Sequence, residues 1–153
     1  MPYLRAAVGV RMPSYMPIAV TDDWATPQAL FNEWDNVFGF DLDAAASSTN
    51  HKCDNWYGLD HPDPTKQDAL AIDWQGDAVW LNPPYGRVLN QWVKKAYDSN
   101  LLVVMLLPAR TDTRWFHTYC LDQKITFIKG RVKFGNGTAG APFPSMIVVM
   151  RPR

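Results

Sequence analysis

Residues 78–85 read Ala78-Val79-Trp80-Leu81-Asn82-Pro83-Pro84-Tyr85, and the fold turns on this stretch. Four apolar residues in a row, with Asp77 before them, predict a buried strand over residues 77–81. Two prolines then stop it, because proline has no N–H to give to a ladder. The strand's last polar residue and an aromatic ring are left at its carboxyl end, where open α/β sheets bind their ligands. The Asn82 side-chain oxygen accepts a hydrogen bond, and no helix occupies the Pro83 carbonyl at that point. Tyr85 offers a flat face for stacking. The chemistry suggested is capture of a planar amino group, with its lone pair drawn out of the ring plane.

Upstream, Thr26-Pro27 predicts a helix start, with Thr26 as N-cap and Pro27 at the first helical position. Leu30, Phe31, Trp34, Val37 and Phe38 keep helical spacing until Gly39 ends the run. Residues 40–46 predict a short strand entering a small-residue turn, and residues 47–67 are polar and mostly loop. Downstream, residues 87–99 predict a helix with Val88, Leu89, Trp92, Val93, Ala96 and Tyr97 on one face. Residues 101–107 are continuously apolar, the pattern of a parallel strand covered on both faces. Residues 113–121 predict a helix, 125–129 and 145–150 strands, and 131–134 a hairpin or edge piece. This alternation gives an α/β three-layer sandwich. Residues 1–20, with three prolines and no period, predict a partly ordered N-terminal arm before a single domain over 21–153.

The longest apolar stretch is strand-sized, so no membrane span is expected. Cys53 and Cys120 lie far apart with no CxxC pairing, which predicts neither a disulfide framework nor a metal site. The N-terminus lacks the order of a signal peptide, and a reducing cytoplasm is expected. Net charge is zero but unevenly divided. Residues 1–77 hold 4 basic and 12 acidic side chains and residues 78–153 hold 11 and 3, so the halves carry −8 and +8. One reading is a self-complementary fold; the other is a basic face for a polyanion opposite an acidic pocket for a cationic cofactor.

Six motifs stand in a telling order. They are Trp24-Ala25-Thr26-Pro27, Phe40-Asp41-Leu42-Asp43-Ala44-Ala45-Ala46, Asn82-Pro83-Pro84-Tyr85, Leu107-Pro108-Ala109-Arg110-Thr111-Asp112-Thr113, Gly130-Arg131-Val132-Lys133-Phe134 and Ala141-Pro142-Phe143-Pro144-Ser145. Together they resemble the phage-type DNA N6-adenine methyltransferases, over residues 22–152. The resemblance implies a minimal, Rossmann-like class I fold dependent on S-adenosylmethionine. It implies a catalytic turn of Asn82, Pro83, Pro84 and Tyr85, acting on an adenine flipped out of DNA.

Cofactor contacts implied by the resemblance fall on Thr26 and Pro27, on Asp41 or Asp43 for the methionine ammonium, and on Asp68 for the cofactor adenine amine. Asp73 rivals Asp68, and Asp54 and Asp60 lie in the interval of a ribose-binding acid. Here Asp-Leu-Asp-Ala-Ala-Ala replaces the usual glycine-rich turn. Phe134 and Phe143 are candidates for the second wall around the base. Arg110, Arg114, Arg131 and Lys133 are candidates for phosphate contacts. The family's usual setting implies a bacterial host cell and modification of phage or prophage DNA.

The same tetrapeptide serves enzymes that methylate adenine in RNA or glutamine in proteins, and a catalytically silent DNA-binding module is a further alternative. Monomer and homodimer are both open, as is the target sequence.

Overall fold

The computed structural model describes residues 24–135 and 139–153. The arm expected over residues 1–20 lies outside them. The described elements are α1 (Gln28–Phe38), β1 (Leu42–Asp43), β2 (Ala78–Leu81), α2 (Leu89–Ser99), β3 (Leu102–Pro108), β4 (Lys124–Phe127) and β5 (Ser145–Met150). They form a mixed α/β structure around a five-stranded sheet of order β1-β2-β3-β5-β4. β1, β2 and β3 run parallel, while β5 is antiparallel to both β3 and β4.

Every residue of β2 and β5 is buried, and all of β3 except Leu102. Successive strand residues face opposite sides, so both faces of the sheet centre are covered. On one side α1 contributes Phe31, whose ring meets Trp80 edge-on at 5.5 Å. Gly39 ends α1 in the left-handed region at φ 65°, and its N–H returns to the Asp35 carbonyl. α2 links β2 to β3 and buries Leu89, Trp92, Val93 and Ala96, the i, i+3, i+4, i+7 pattern of a core-facing helix. Among the described residues, no helix is long and apolar enough to cross a membrane.

Several expectations change. Thr26 does not cap α1: Pro27 occupies the N-cap with ψ 135°, and no side chain caps that end. The Thr26 hydroxyl is taken by Asn82 instead. The strand expected over 40–46 shrinks to Leu42–Asp43, because the chain bends at Ala44 and Ala45. Its outer edge is not bare. The segment 55–57 runs beside it, with Asp43 N–H donating to the Asn55 carbonyl, Tyr57 N–H to Asp43 and Ala46 N–H to Tyr57. The helix expected over 113–121 is a π-helical turn, Phe116–Cys120, after a brief helical lead-in. Residues 131–134 form no strand.

Candidate active site

Strand direction gathers the site. β2 ends at Leu81 and β3 at Pro108, and Pro108 pairs with Ser145, the first residue of antiparallel β5. Asn82, Arg110 and Phe143, far apart in sequence, therefore share one rim of the sheet. Gly86, at φ 100°, turns the chain from the tetrapeptide towards α2.

Asn82 is buried. Its Nδ2 donates to the Trp24 carbonyl at 3.0 Å and to Thr26 Oγ1 at 3.1 Å. The Tyr85 hydroxyl lies 3.2 Å from both Asn82 Oδ1 and the Leu106 carbonyl, and donates to them. Burial drives the Tyr85 pKa well above the usual phenol range, so this hydroxyl keeps its proton. The Pro83 carbonyl accepts no hydrogen bond among the described residues.

Tyr85 does not present an open face. Its ring stands edge-on to Phe143 at 5.5 Å, to Trp24 at 6.2 Å and to Phe134 at 6.2 Å. Trp24 stacks on Phe143, and the Arg110 guanidinium lies 5.9 Å from the Phe143 ring centre. Tyr85 and Phe134 are buried, whereas Trp24 and Phe143 are half-buried and form the outer layer.

Two pockets meet at Ala45. The larger, about 250 Å³, has apolar walls from Ala44, Ala46, Pro84, Val88 and Trp92, with Gln67 and the exposed Asp68 on its lining. Gly58 is needed in its wall: a Cβ there would come 2.0 Å from the Ala46 carbonyl oxygen. The smaller, about 10 Å³, is polar and lies among Thr26, Asp43, Asn50, Lys52, Trp80 and Asn82.

Asp43 is the unusual group there. Lys52 N–H donates to its Oδ2 at 3.0 Å, while its buried Oδ1 has no partner among the described residues. Burial pushes its pKa up to about 7, against the pull of the Lys52 and Ala45 N–H groups and the Lys52 charge. A buried carboxylate oxygen without a donor is costly. It fits a cationic guest.

Asp41 is placed elsewhere. Its carboxylate accepts from the N–H groups of Asp77 and Ala78 at 2.9–3.0 Å. It thus pins the start of β2, at the opposite end of the strands from Asn82. The β-strand holds Leu42 and Asp43 alone, and Asp41 lies just before it. Asp60 is occupied by Ser48, through three hydrogen bonds. Beside Asp73, Trp74 is a packing residue whose Nε1 donates to the Ala69 carbonyl.

Arg131 Nη1 donates to the Ala141 carbonyl at 3.3 Å, and Lys133 is exposed. Gly135 N–H donates to the Ala25 carbonyl, tying this segment to the Trp24–Thr26 lead-in. Lys52 and Gly58 were not singled out in the sequence, where neither carries a local signal. Trp24 was legible as part of its motif, though not as a member of the aromatic cluster.

The fold and rim define an α/β protein whose site lies at the carboxyl ends of parallel strands, with a pocketed carboxylate beside an asparagine–proline turn. The model of the family described as DNA N-6-adenine-methyltransferase (Dam) matches residues 13–153, and the chain belongs to that family. A DNA N-6-adenine-methyltransferase of Haemophilus phage HP1 (strain HP1c1) is 34% identical over 145 residues, spanning 86% of this chain and 80% of the relative. One of Escherichia phage T1 is 39% identical over 105 residues, spanning 65% of this chain and 41% of the relative.

Proposed function

We propose that the chain transfers a methyl group from S-adenosylmethionine to the N6 amino group of adenine in DNA, on a base turned out of the duplex. The fold it uses is a pared-down, Rossmann-like class I methyltransferase sandwich. The single observation that carries the reading is the Asn82-Pro83 turn at the sheet rim, next to a pocket where the buried Asp43 Oδ1 has no donor among the described residues.

The residues present fit the cofactor. The 250 Å³ apolar pocket, with Asp68 on its lining, suits a planar adenine whose amine needs an acceptor. The small polar pocket suits an ammonium, with Asp43 as its counter-charge and Thr26 beside it. Bound there, S-adenosylmethionine supplies an activated methyl group with a good leaving group attached to it.

Residues of the chain do the rest. Asn82 Oδ1 and the Pro83 carbonyl accept from the target amine and fix its nitrogen in line with the methyl carbon. Both acceptors also stabilise the positive charge that develops on that nitrogen. The methylated ammonium is acidic enough to lose its proton to water, so no strong base is needed. Consistent with this, His51 and His117 are engaged with the carbonyls of Cys53 and Thr111, and His61 packs against Trp56.

Exposed Arg110, Arg114, Arg131 and Lys133 are the proposed phosphate contacts. Phage sources of both relatives favour a role in modifying phage or prophage DNA. The test is transfer of a labelled methyl group to unmethylated DNA, with RNA and a release-factor-like protein in parallel. N6-methyladenine in the DNA is the expected product. Label in RNA or protein alone would move the reading to those substrates. No label, together with no cofactor binding by calorimetry, would leave a silent DNA-binding module.

A further inference from the structure

Trp24 stands at the centre of the rim, lines the small polar pocket, and has a side chain with no part in the transfer step described above. Its indole stacks on Phe143 with 5.7 Å between ring centres and 12° between planes, and tilts against Phe134 at 5.4 Å. It also meets the edge of Tyr85. A base inserted between Trp24 and Phe143 would need about 7 Å between their planes, two stacking distances, and the rings already touch. Tyr85 and Phe134 lie deeper and are buried. A flat ring arriving from solvent therefore meets Trp24 and Phe143 before it meets Tyr85.

The backbone of the same residue has a second duty. A main-chain carbonyl only accepts, so the Asn82 atom facing the Trp24 oxygen at 3.0 Å must be Nδ2. Thr26 Oγ1 reinforces that orientation at 3.1 Å. Asn82 Oδ1 is thereby turned towards the Tyr85 hydroxyl and the aromatic cluster. The side chain of Trp24 fills the cluster while its carbonyl aims the asparagine.

We propose that Trp24 holds the place of the target base when no DNA is bound. Its planar bicyclic indole occupies the cradle formed with Phe143, Phe134 and Tyr85, and rotation of that side chain admits an adenine. Its carbonyl stays on Asn82 throughout, so Oδ1 is already aimed when the amine arrives. Trp24 is on this account a positioning residue. The inference rests on the methyltransferase reading and specifies how its base site opens.

The test uses the full chain labelled with 5-fluorotryptophan, with S-adenosylhomocysteine bound, and fluorine NMR. The Trp24 resonance is assigned by its loss in Trp24→Phe. Short oligodeoxyadenylate and oligothymidylate are the probes, because their unpaired bases need no recognition sequence. The expected result is a shift of the Trp24 resonance with the adenylate and not with the thymidylate, while that of Trp34, stacked on Phe38 in α1, stays put. Trp24→Ala should bind the adenylate roughly three- to tenfold more tightly, measured with S-adenosylhomocysteine at saturation, since the competing ring is gone.

A Trp24 resonance unmoved at saturating adenylate, in a preparation that methylates adenine in DNA, makes the indole a fixed wall. That overturns the proposal and leaves the function standing. Weaker adenylate binding by Trp24→Ala has the same meaning. If that variant fails to fold, the resonance of the labelled chain decides. A labelled chain that methylates no DNA overturns the functional reading beneath it.

Discussion

At the scale of single residues, Asp43 ties structure to pH. Burial raises its pKa from 3.8 to about 7. The folded state therefore holds this proton more tightly than the unfolded chain does. The stability this contributes is complete below pH 3.8 and is lost as pH rises through about 7, at up to about 1.4 kcal/mol per unit. Cofactor binding runs the other way, because the ammonium pairs with the ionised carboxylate. Affinity should rise with pH up to about 7 and then level off, with a proton released below that point. Calorimetry in buffers of different ionisation enthalpy reads the proton directly. Asp43→Asn should bind the cofactor more weakly, with a flat pH profile, and should lose that part of the unfolding pH dependence; an unchanged profile would move the ammonium elsewhere. Asn82→Ala removes the amine acceptor and should lower kcat by about a hundredfold or more. Cofactor affinity should fall far less than kcat in the same calorimeter, because Asn82 lines the ammonium pocket but its counter-charge, Asp43, remains. Loss of both together would make Asn82 a structural residue.

At the scale of elements, the long apolar strands were legible because burial on both faces leaves no polar positions to confuse the period: β5 matches its expected bounds and β3 nearly so. A short strand was legible where it is wholly apolar, as in β2, but β1 was not. β1 is two residues long, and the alanines that follow it look like strand but line the larger pocket. Asp41 and Asp43 look equivalent in sequence because spacing cannot say where a strand begins. Thr26-Pro27 has the chemistry of a cap, yet a buried amide from a distant strand takes the threonine hydroxyl first. Gly58 shows what local pattern hides altogether, since its requirement is the Ala46 carbonyl across the fold. Gly58→Ala would have to push that carbonyl away, straining the residue whose N–H donates to Tyr57 and closes the edge of β1. A loss of about 1–3 kcal/mol in denaturant unfolding is expected, as for an overpacked core. Because the same wall lines the larger pocket, cofactor affinity should fall at least about tenfold, roughly 1.4 kcal/mol. Wild-type stability and affinity in this variant would show that the wall yields and the close approach has no function.

For the whole molecule, the division of charge between the halves has an explanation that composition could not supply. Much of the acidic half is spent on backbone: Asp41 holds the start of β2, Asp60 holds Ser48, and Asp63 caps the turn at Thr65. Asp43 and Asp68 are the acids that line the two pockets. Between described residues, and leaving Arg87 aside, no close ion pair joins the basic half to the acidic half. The close ion pair between described residues, Lys94 with Asp98, lies within α2. Arg110 and Lys133 stay exposed, Arg110 beside Phe143 and Lys133 next to Phe134 in the chain. We propose that this exposed basic rim around the aromatic cluster meets phosphate. The consequence is measurable as a salt slope, because each phosphate neutralised releases counterions from DNA. Arg110→Gln and Lys133→Gln should each weaken DNA binding irrespective of sequence and lower the slope of log affinity against log salt by about 1. Cofactor affinity should not change, since neither residue lines either pocket. Fluorescence anisotropy of a labelled duplex, titrated across salt concentrations, gives the slope. If both variants keep the wild-type slope, DNA does not cross this rim, and the groove between α2 and the π-helical turn, which Lys94 and Arg114 both line, becomes the surface to test.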